Sequence, residues 1–277
     1  MDKKDIKDLS FEELTEELKG WGEPSYRAFQ IFDWIYKKGA TSFEGMTDLP
    51  QDLRLKLERS FSLRSPVLAD HLTSHDGTEK FLFELADGHF VETVLIPAAK
   101  RKTLCLSTQV GCKFACVFCA SGMAGFKRNL LPSEMLGQVL VLRDKFNVNL
   151  TNFVFMGMGE PLDNSENVIQ SVRIMNDPKG LGIAARRITI STAGITPALE
   201  RFMGLGLQVN LSLSLHSAKD AARSRLMPIN KKYPLKGLLR ACEKYVERTG
   251  RMMTLEYVLL CDINDSADDA RELAAVA

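Results

Sequence analysis

The chain has 277 residues, of which 45% are hydrophobic and 26% charged, which is an ordinary composition for a soluble globular protein. Its formal net charge of +1 provides no global field that would indicate a nucleic-acid or membrane partner, so such surfaces must be local. The charged N-terminal segment lacks the apolar stretch of a secretory signal, and no apolar run approaches the roughly 20 residues of a membrane span. We therefore expect a cytoplasmic protein with no membrane partner.

The first region, residues 1–65, is predicted to be helical. Ser10 precedes an amphipathic run that stops at Gly20, which is the pattern of a helix with caps at both ends. Two further helices are predicted over the segments YRAFQIFDWIYKKG and LPQDLRLKLERSF. We interpret the region as an N-terminal helical accessory domain whose aromatic residues form its packing core. A role in gripping a folded substrate is the alternative.

The second region, residues 66–98, changes to short β-rich runs. The segment EKFLFELADGHFVETVLIP is interrupted at Asp87–Gly88, which is a hairpin signal. We predict a β-hairpin connector between two larger regions.

The third region, residues 99–277, alternates short apolar runs with segments of helical length. The predicted strands are 102–109, 151–157, 186–192, 208–215 and 252–260, and the predicted helices include 133–146, 164–176 and 234–250. This alternation indicates an α/β fold with parallel strands and chemistry at their carboxyl ends. Five units are too few for a closed eight-fold barrel, so we predict an open partial (β/α) barrel. The chain stops inside a sixth unit, from which we expect that the C-terminal part of the barrel is missing.

Three of the six cysteines lie close together after the first of these strands. Cys112, Cys116 and Cys119 have the spacing C-x3-C-x2-C. Such thiolates can hold three irons of a [4Fe–4S] cluster and leave the fourth iron open to another ligand. A structural zinc site, the alternative, usually has four ligands in two pairs, and the sequence contains no second such pair. Cys242 is predicted to be a core residue in a helix.

A second motif, GMGEP (157–161), follows the second strand. Gly157 and Gly159 allow backbone carbonyls to approach a ligand, and Glu160 can accept a hydrogen bond from an ammonium group. A glycine pair in a turn is weak evidence alone. After the cysteine loop and at this strand it is stronger evidence, because in the radical-SAM superfamily, which the cysteine loop resembles, this turn binds the amino group of S-adenosylmethionine (SAM).

The cysteine spacing and GMGEP resemble the radical-SAM superfamily, and longer strings resemble its RlmN-type adenine-C2 RNA methyltransferases. These strings are ETVLIP (92–97), LCLSTQVGCKFACVFCASG (104–122), FMGMGEPLDN (155–164), RRITISTAG (186–194), LSLHS (213–217) and LMPINKKYP (226–234). The similarity runs from about residue 20 to the end of the chain. The Cfr-type C8 methyltransferases share the cysteine loop, and Pro161 favours the C2 group.

The resemblance implies which residues contact SAM. They lie at the carboxyl ends of successive strands and are Gly159, Glu160, Ser191, Ser214, Leu215 and His216. Without the family, Ser191 would be interpreted as a helix cap and His216 as a structural histidine at the end of a strand.

The resemblance also implies a reaction that uses two molecules of SAM. One methylates a cysteine of the enzyme, and the other, after reduction by the cluster, yields the radical that activates this methyl group for addition to C2 of adenine. Glu92 is then the proton acceptor, and Cys105 resolves the enzyme–RNA crosslink through a transient disulfide. A solvent-facing carboxylate and a buried strand thiol are the alternatives for these two residues.

The methyl-carrying cysteine of the family lies in a C-terminal sequence like AACGQL, which is not found here. Neither Cys242 nor Cys261 matches it. We therefore expect a truncated chain that cleaves SAM without methylating RNA.

The implied substrates are 23S rRNA and, in this family, also tRNA. Nine Lys and Arg residues between Arg223 and Arg251, together with 100–102 and 127–128, are candidates for phosphate contacts, although a solvated helix face would have the same pattern. We expect a monomer that receives electrons from a donor such as flavodoxin. Another radical-SAM reaction and a non-catalytic, metal-containing RNA-binding module are the remaining alternatives.

Overall fold

The computed structural model describes residues 3–277. Its helices are α1 (Phe11–Gly20), α2 (Tyr26–Tyr36), α3 (Gln51–Ser60), α4 (Ala120–Met123), α5 (Pro132–Lys145), α6 (Ser165–Asn176), α7 (Thr196–Met203), α8 (Asp220–Leu226), α9 (Leu235–Thr249) and α10 (Ala267–Val276). Its strands are β1 (Val67–Thr73), β2 (Glu79–Glu84), β3 (Phe90–Ala98), β4 (Arg101–Cys105), β5 (Gln109–Val110), β6 (Arg128–Asn129), β7 (Asn152–Phe155), β8 (Ile188–Thr192), β9 (Asn210–Ser214) and β10 (Met253–Glu256).

The chain divides into two compact units, which do not follow the chain order. The first contains the residues up to Leu106 together with 130–152 and 166–184, and the second contains 107–129, 153–165 and 185–277. None of the helices in the described part of the chain is long and apolar enough to cross a lipid bilayer.

The N-terminal part of the first unit consists of the three predicted helices. Ser10 caps α1 in a capping box with Glu13, as its sequence predicts. Phe32 on α2 is buried, but Tyr26 and Phe29 on the same helix are exposed. The packing interpretation of the aromatic residues is therefore correct for Phe32 and wrong for Tyr26 and Phe29.

The strands of the first unit, β1 to β4, form consecutive antiparallel pairs. The predicted hairpin is the β2–β3 pair, and Gly88 occupies its turn with a φ of +79°. In this register Glu92 of β3 lies opposite Leu82, and Cys105 at the end of β4 lies opposite Val94.

The second unit contains four of the five predicted parallel strands, in the order β7–β8–β9–β10. The strand predicted at 102–109 is β4 of the first unit, which pairs with β3 in the antiparallel direction. Within the described residues of this unit, β10 pairs only with β9, so the strands form an open arrangement. The predicted open partial (β/α) barrel is confirmed. Because the strands are parallel, their carboxyl ends meet at one edge, where Phe155, Thr192, Ser214 and Glu256 end the four strands.

Candidate active site

The second unit has a cavity at this edge that is open to solvent. Residues from the cysteine loop and from the ends of all four strands line it. They include Cys112, Cys116, Cys119, Gly159, Glu160, Ser191, Ser214, His216 and Glu256. The structure thus brings together most of the predicted site residues. Leu215 is fully buried and does not line the cavity.

The cysteine loop is folded tightly by its glycines and by the short β5–β6 pair at its base. Gly111 has a φ of +74°, and a Cβ there would lie 1.6 Å from the carbonyl oxygen of Gly125. Only glycine permits this approach. The Val117 amide also donates to the carbonyl of Leu226 at 3.0 Å, so the loop is fixed at its base and at its centre.

The three thiols are partly buried and free of disulfides. Burial and the neighbouring anions raise the pKa of Cys116 to about 12, while the Arg223 guanidinium acts in the opposite direction. Burial likewise raises the pKa of Cys112. As thiolates, these groups would need a strong cationic partner in the cavity. An iron–sulfur cluster fits this donor set, because its irons bind thiolates directly.

Within residues 3–277, no three His, Cys, Asp or Glu side chains are placed to hold a single metal ion. The cysteines of a four-iron cluster bind different irons and need not converge on one point. The relevant observation is therefore that three thiols from one loop line one cavity.

Glu160, the acidic residue of the GMGEP motif, is buried and is already hydrogen-bonded within the protein. Its carboxylate accepts from the amides of Leu162 (3.0 Å) and Ala193 (2.7 Å) and from the Thr192 hydroxyl (2.7 Å). Burial raises its pKa to about 7, against the lowering effect of these donors. A carboxylate has about four acceptor positions, so roughly one is left for a ligand.

Gly159 is held against Gln109, a fully buried residue that the sequence did not identify. Gly159 has a φ of +101°, and a Cβ there would lie 2.5 Å from Cβ of Gln109. The Gln109 side chain accepts from the amide of Glu160 at 2.9 Å and donates to Asn129 and Asp163, each at 2.8 Å. Gln109 thereby connects the base of the cysteine loop to the GMGEP turn.

Ser191 and Ser214 form a cluster with Glu256, which was also not identified from the sequence. Both hydroxyls lie within hydrogen-bond distance of Oε2 of Glu256, at 3.0 and 3.2 Å. With their hydrogens directed to this carboxylate, the serines present acceptor lone pairs to the cavity. Glu256 ends the observed strand β10, but it lies in the middle of the predicted strand 252–260, so the predicted boundary did not mark it as a strand-end residue.

His216 faces the cavity in a left-handed backbone conformation, with a φ of +54°. Its Nδ1 accepts from the amide of Val258 at 3.0 Å, so the neutral ring carries its hydrogen on Nε2. Burial and the nearby Arg223 lower its pKa to about 4. His216 is therefore a neutral donor to the cavity near neutral pH.

Arg223 contradicts one expectation from the sequence. It was grouped with the basic residues that could contact RNA phosphates, but it is fully buried. Its guanidinium donates to the carbonyls of Ala193 (2.7 Å), Ser214 (3.1 Å) and Leu215 (3.1 Å), and to the Asn230 side chain. Arg223 thus fixes the ends of β8 and β9 and adds positive potential near Cys116.

Glu92 and Cys105 belong to the first unit. Glu92 forms an ion pair with Lys80 of the neighbouring strand at 2.9 Å, and this pair raises the pKa of Lys80. Cys105 is partly buried and forms no disulfide.

Comparison with known proteins adds sequence and structural evidence. Residues 106–274 match the radical SAM superfamily, and residues 4–63 match the ribosomal RNA large subunit methyltransferase N-terminal domain. The chain is 47% identical to the probable dual-specificity RNA methyltransferase RlmN of Dictyoglomus turgidum, over 96% of this chain and 77% of that protein. It is 49% identical to the dual-specificity RNA methyltransferase RlmN of Geobacter sulfurreducens, over 97% of this chain and 74% of that protein. A crystal structure of a radical SAM methyltransferase from Sphaerobacter thermophilus superposes with a TM-score of 0.92 at 43% identity, covering 99% of this chain and 81% of that one.

Proposed function

The chain belongs to the RlmN family of the radical SAM superfamily, and we propose that it supplies the SAM-cleaving site for methylation of C2 of adenine in 23S rRNA and in tRNA. The observation that carries the proposal is the cavity in the second unit, where three thiols meet polar groups from four strand ends. The N-terminal match to a ribosomal RNA methyltransferase domain supports RNA as the substrate class.

Cys112, Cys116 and Cys119 would hold a [4Fe–4S] cluster whose fourth iron takes SAM as a ligand. When bound, this pair of cofactors supplies the one-electron cleavage of SAM, which is needed because C2 of adenine is not a nucleophile. The protein side chains orient SAM and control protons. Arg223 offsets part of the negative charge that three thiolates bring to the loop.

The strand-end residues have complementary roles in this proposal. The remaining acceptor position of Glu160, beside the carbonyl groups of the GMGEP turn, suits the SAM ammonium group. Ser191 and Ser214, with their hydrogens directed to Glu256, present acceptors to other donor groups of SAM. His216 offers an Nε2 hydrogen to an acceptor atom.

Glu92 and Cys105 would have the two remaining chemical roles, those of proton acceptor and resolving thiol. Glu92, which forms an ion pair with Lys80, would accept the proton from C2 of adenine. Cys105 would resolve the crosslink between enzyme and RNA. We further propose that the protein is a cytoplasmic monomer and that a flavodoxin supplies its electrons. The proposed domain organisation is an accessory domain (1–65), a hairpin connector (66–98) and a partial barrel (99–277).

Anaerobic reconstitution with iron and sulfide tests the cofactor site. We expect about four irons per chain, a visible absorption band and a SAM-dependent change in the spectrum of the reduced cluster. Cys116→Ala should abolish these signals, because two thiolates cannot hold the cluster. The matched control is Cys242→Ala, which removes a buried thiol from α9 and should leave them intact. Binding of one zinc without a SAM-sensitive signal would refute the cofactor assignment.

Mass spectrometry of RNA tests the product. A strain that lacks its own adenine-C2 methyltransferase should regain 2-methyladenine in 23S rRNA and tRNA when it expresses the complete gene that encodes this chain. The same gene with Cys116→Ala should not restore it. An 8-methyladenine product would reassign the position of methylation.

A further inference from the structure

The outer side of the cysteine loop is exposed and apolar. Met123 is 89% exposed, Val117 67% and Phe126 38%, and Lys127 next to Phe126 is exposed as well. We refer to these four residues as the outer face of the loop. None of them lines the cavity, so the site described above does not account for their exposure.

The fold of the loop explains why these side chains point outward. Phe114, Cys116 and Phe118 pack against the buried cluster of Leu226, Met227 and Ile229. Alternate positions therefore face away from that cluster, and Val117 is one of them. The close approach of Gly111 to the Gly125 carbonyl closes the loop that contains Met123. The outer face is consequently presented on a fixed loop.

The charge around this face has one sign. Between Gly111 and Ser133 the sequence contains three cations, Lys113, Lys127 and Arg128, and no acidic residue. Lys113 lies 5.6 Å from the ring centre of Phe126 and is paired with Asp163 at 2.6 Å, whereas Lys127 extends the exposed face. An apolar centre with a polar rim is the anatomy of a protein–protein interface.

We propose that the outer face of the cysteine loop docks an acidic electron-transfer protein that carries a flavin or an iron–sulfur cluster. This inference rests on the proposed function, in which each cleavage of SAM needs one electron from outside the chain. Val117 lies between Cys116 and Cys119 in sequence, so a partner on this face is close to the cluster ligands. One electron leaves the reduced group of the partner and enters the cluster, and no bond is formed or broken between the proteins.

RNA is the other macromolecule that the reaction must admit, but the composition of the face does not favour it. RNA surfaces stack bases on aromatic rings and bind phosphates through Lys and Arg. The two most exposed side chains here, those of Met123 and Val117, are aliphatic. Methionine is enriched at protein–protein interfaces.

Met123→Glu in the reconstituted 277-residue chain tests the proposal, with Met252→Glu as the matched control. Met252 is 91% exposed, so both variants place a carboxylate at an exposed methionine and only one changes the loop. Reduction of the cluster by an excess of reduced flavodoxin, followed anaerobically by stopped flow, should slow about tenfold in Met123→Glu, as for loss of a significant interface contact. Reduction by dithionite should be unchanged, because a small reductant needs no docking surface.

A binding titration with oxidised flavodoxin provides a readout that does not depend on turnover. The affinity should fall about tenfold in Met123→Glu and in Lys127→Glu, remain unchanged in Met252→Glu, and weaken for the unmodified chain as salt is raised. Equal behaviour of Met123→Glu and Met252→Glu in both assays would overturn the proposal. So would weaker binding of a 23S rRNA fragment to Met123→Glu with flavodoxin binding intact, since the face would then belong to RNA. If the unmodified chain assembles no four-iron cluster, the proposed function falls, and the titration alone decides whether the face docks flavodoxin.

Discussion

Both units bury charged side chains, but they stabilise them in different ways. In the first unit, Lys7 and Asp5 form an ion pair at 2.9 Å with both side chains almost fully buried. In the second unit, the buried Arg223 donates to three backbone carbonyls and to an Asn side chain. Glu160 there accepts from two amides and a hydroxyl. The N-terminal region thus cancels its buried charge within the protein, whereas the site surrounds each charge with neutral groups.

This difference has a functional meaning. An ion pair leaves little net charge for a ligand, but a charge held by neutral dipoles still acts on its surroundings. Burial lowers the pKa of Arg223 to about 10 and raises that of Glu160 to about 7, as expected for charges without a full counter-ion. The cavity therefore keeps a cation near the cysteine loop and a carboxylate near the GMGEP turn.

The largest effect on stability is expected for Arg223→Ala. The change leaves the carbonyls of Ala193, Ser214 and Leu215 without this donor and should cost about 3–5 kcal/mol of unfolding free energy, because each unsatisfied buried acceptor costs about 1–3 kcal/mol. Arg223→Lys should recover only part of the loss, because an ammonium group cannot reproduce the planar fork. Urea denaturation monitored by circular dichroism measures both variants. A loss below about 1 kcal/mol for the alanine variant would mean that water replaces the guanidinium at little cost.

Lys7→Met tests the paired charge of the first unit. Asp5 keeps its hydrogen bonds from the amides of Lys7 and Arg64 but loses its counter-ion, so we expect a loss of about 3 kcal/mol. Asp5→Asn combined with Lys7→Met removes both charges and should be more stable than Lys7→Met alone. If the double variant is the less stable of the two, charge balance is not what Lys7 contributes. The same urea titration provides the comparison.

The sequence predicts the parallel strands better than the helices between them. A strand such as β8 is a short run of mainly β-branched residues, and α9 combines helical periodicity with a glycine stop at Gly250, which has a φ of +65°. The helices α7 and α8 were not identified individually. They span 8 and 7 residues, too few for a clear helical period.

The site residues likewise fall into two groups: those that a contiguous sequence motif reveals, and those whose contacts join residues far apart in the sequence. The cysteine loop and the GMGEP turn are contiguous motifs, and strand ends are places where polar residues are expected. The hydrogen bond between Ser191 and Glu256 joins residues 65 positions apart, and no local pattern encodes it. Arg223 was assigned to the surface because arginine is almost never fully buried unless it is paired, and its partners are carbonyl groups that any residue could supply.

The neutral state of His216 predicts an acid-sensitive fold. Its pKa is lowered to about 4 by burial and by Arg223, so between about pH 6.5 and pH 4 the unfolded chain takes up a proton that the folded chain does not. The stability linked to this group is fully present above about pH 6.5 and is lost as the pH falls towards 4, on the order of 2 kcal/mol after allowance for residual solvation.

His216→Asn removes this titration while keeping a residue that tolerates a positive φ and an acceptor for the Val258 amide. Its unfolding free energy should therefore fall less between pH 7 and pH 4.5 than that of the unmodified chain. His75→Asn, at an exposed position in the turn between β1 and β2, is the matched control and should keep the original profile. Parallel pH profiles for His216→Asn and the unmodified chain would show that another group is responsible.

The smallest effect concerns a neutral polar contact of the first unit. The Ser10 hydroxyl caps α1 by accepting from the amide of Glu13 at 3.1 Å, and the Glu13 carboxylate accepts from the Ser10 amide at 2.7 Å. Ser10→Ala should lower the unfolding free energy by about 1 kcal/mol. Thr15→Ala is the control within the same helix, because the Thr15 hydroxyl donates to the Phe11 carbonyl at 2.7 Å, a contact that adds little to helix stability. Equal losses for the two variants would mean that the cap has no special weight, and that the stability of the first unit depends on its apolar packing and the Lys7–Asp5 pair.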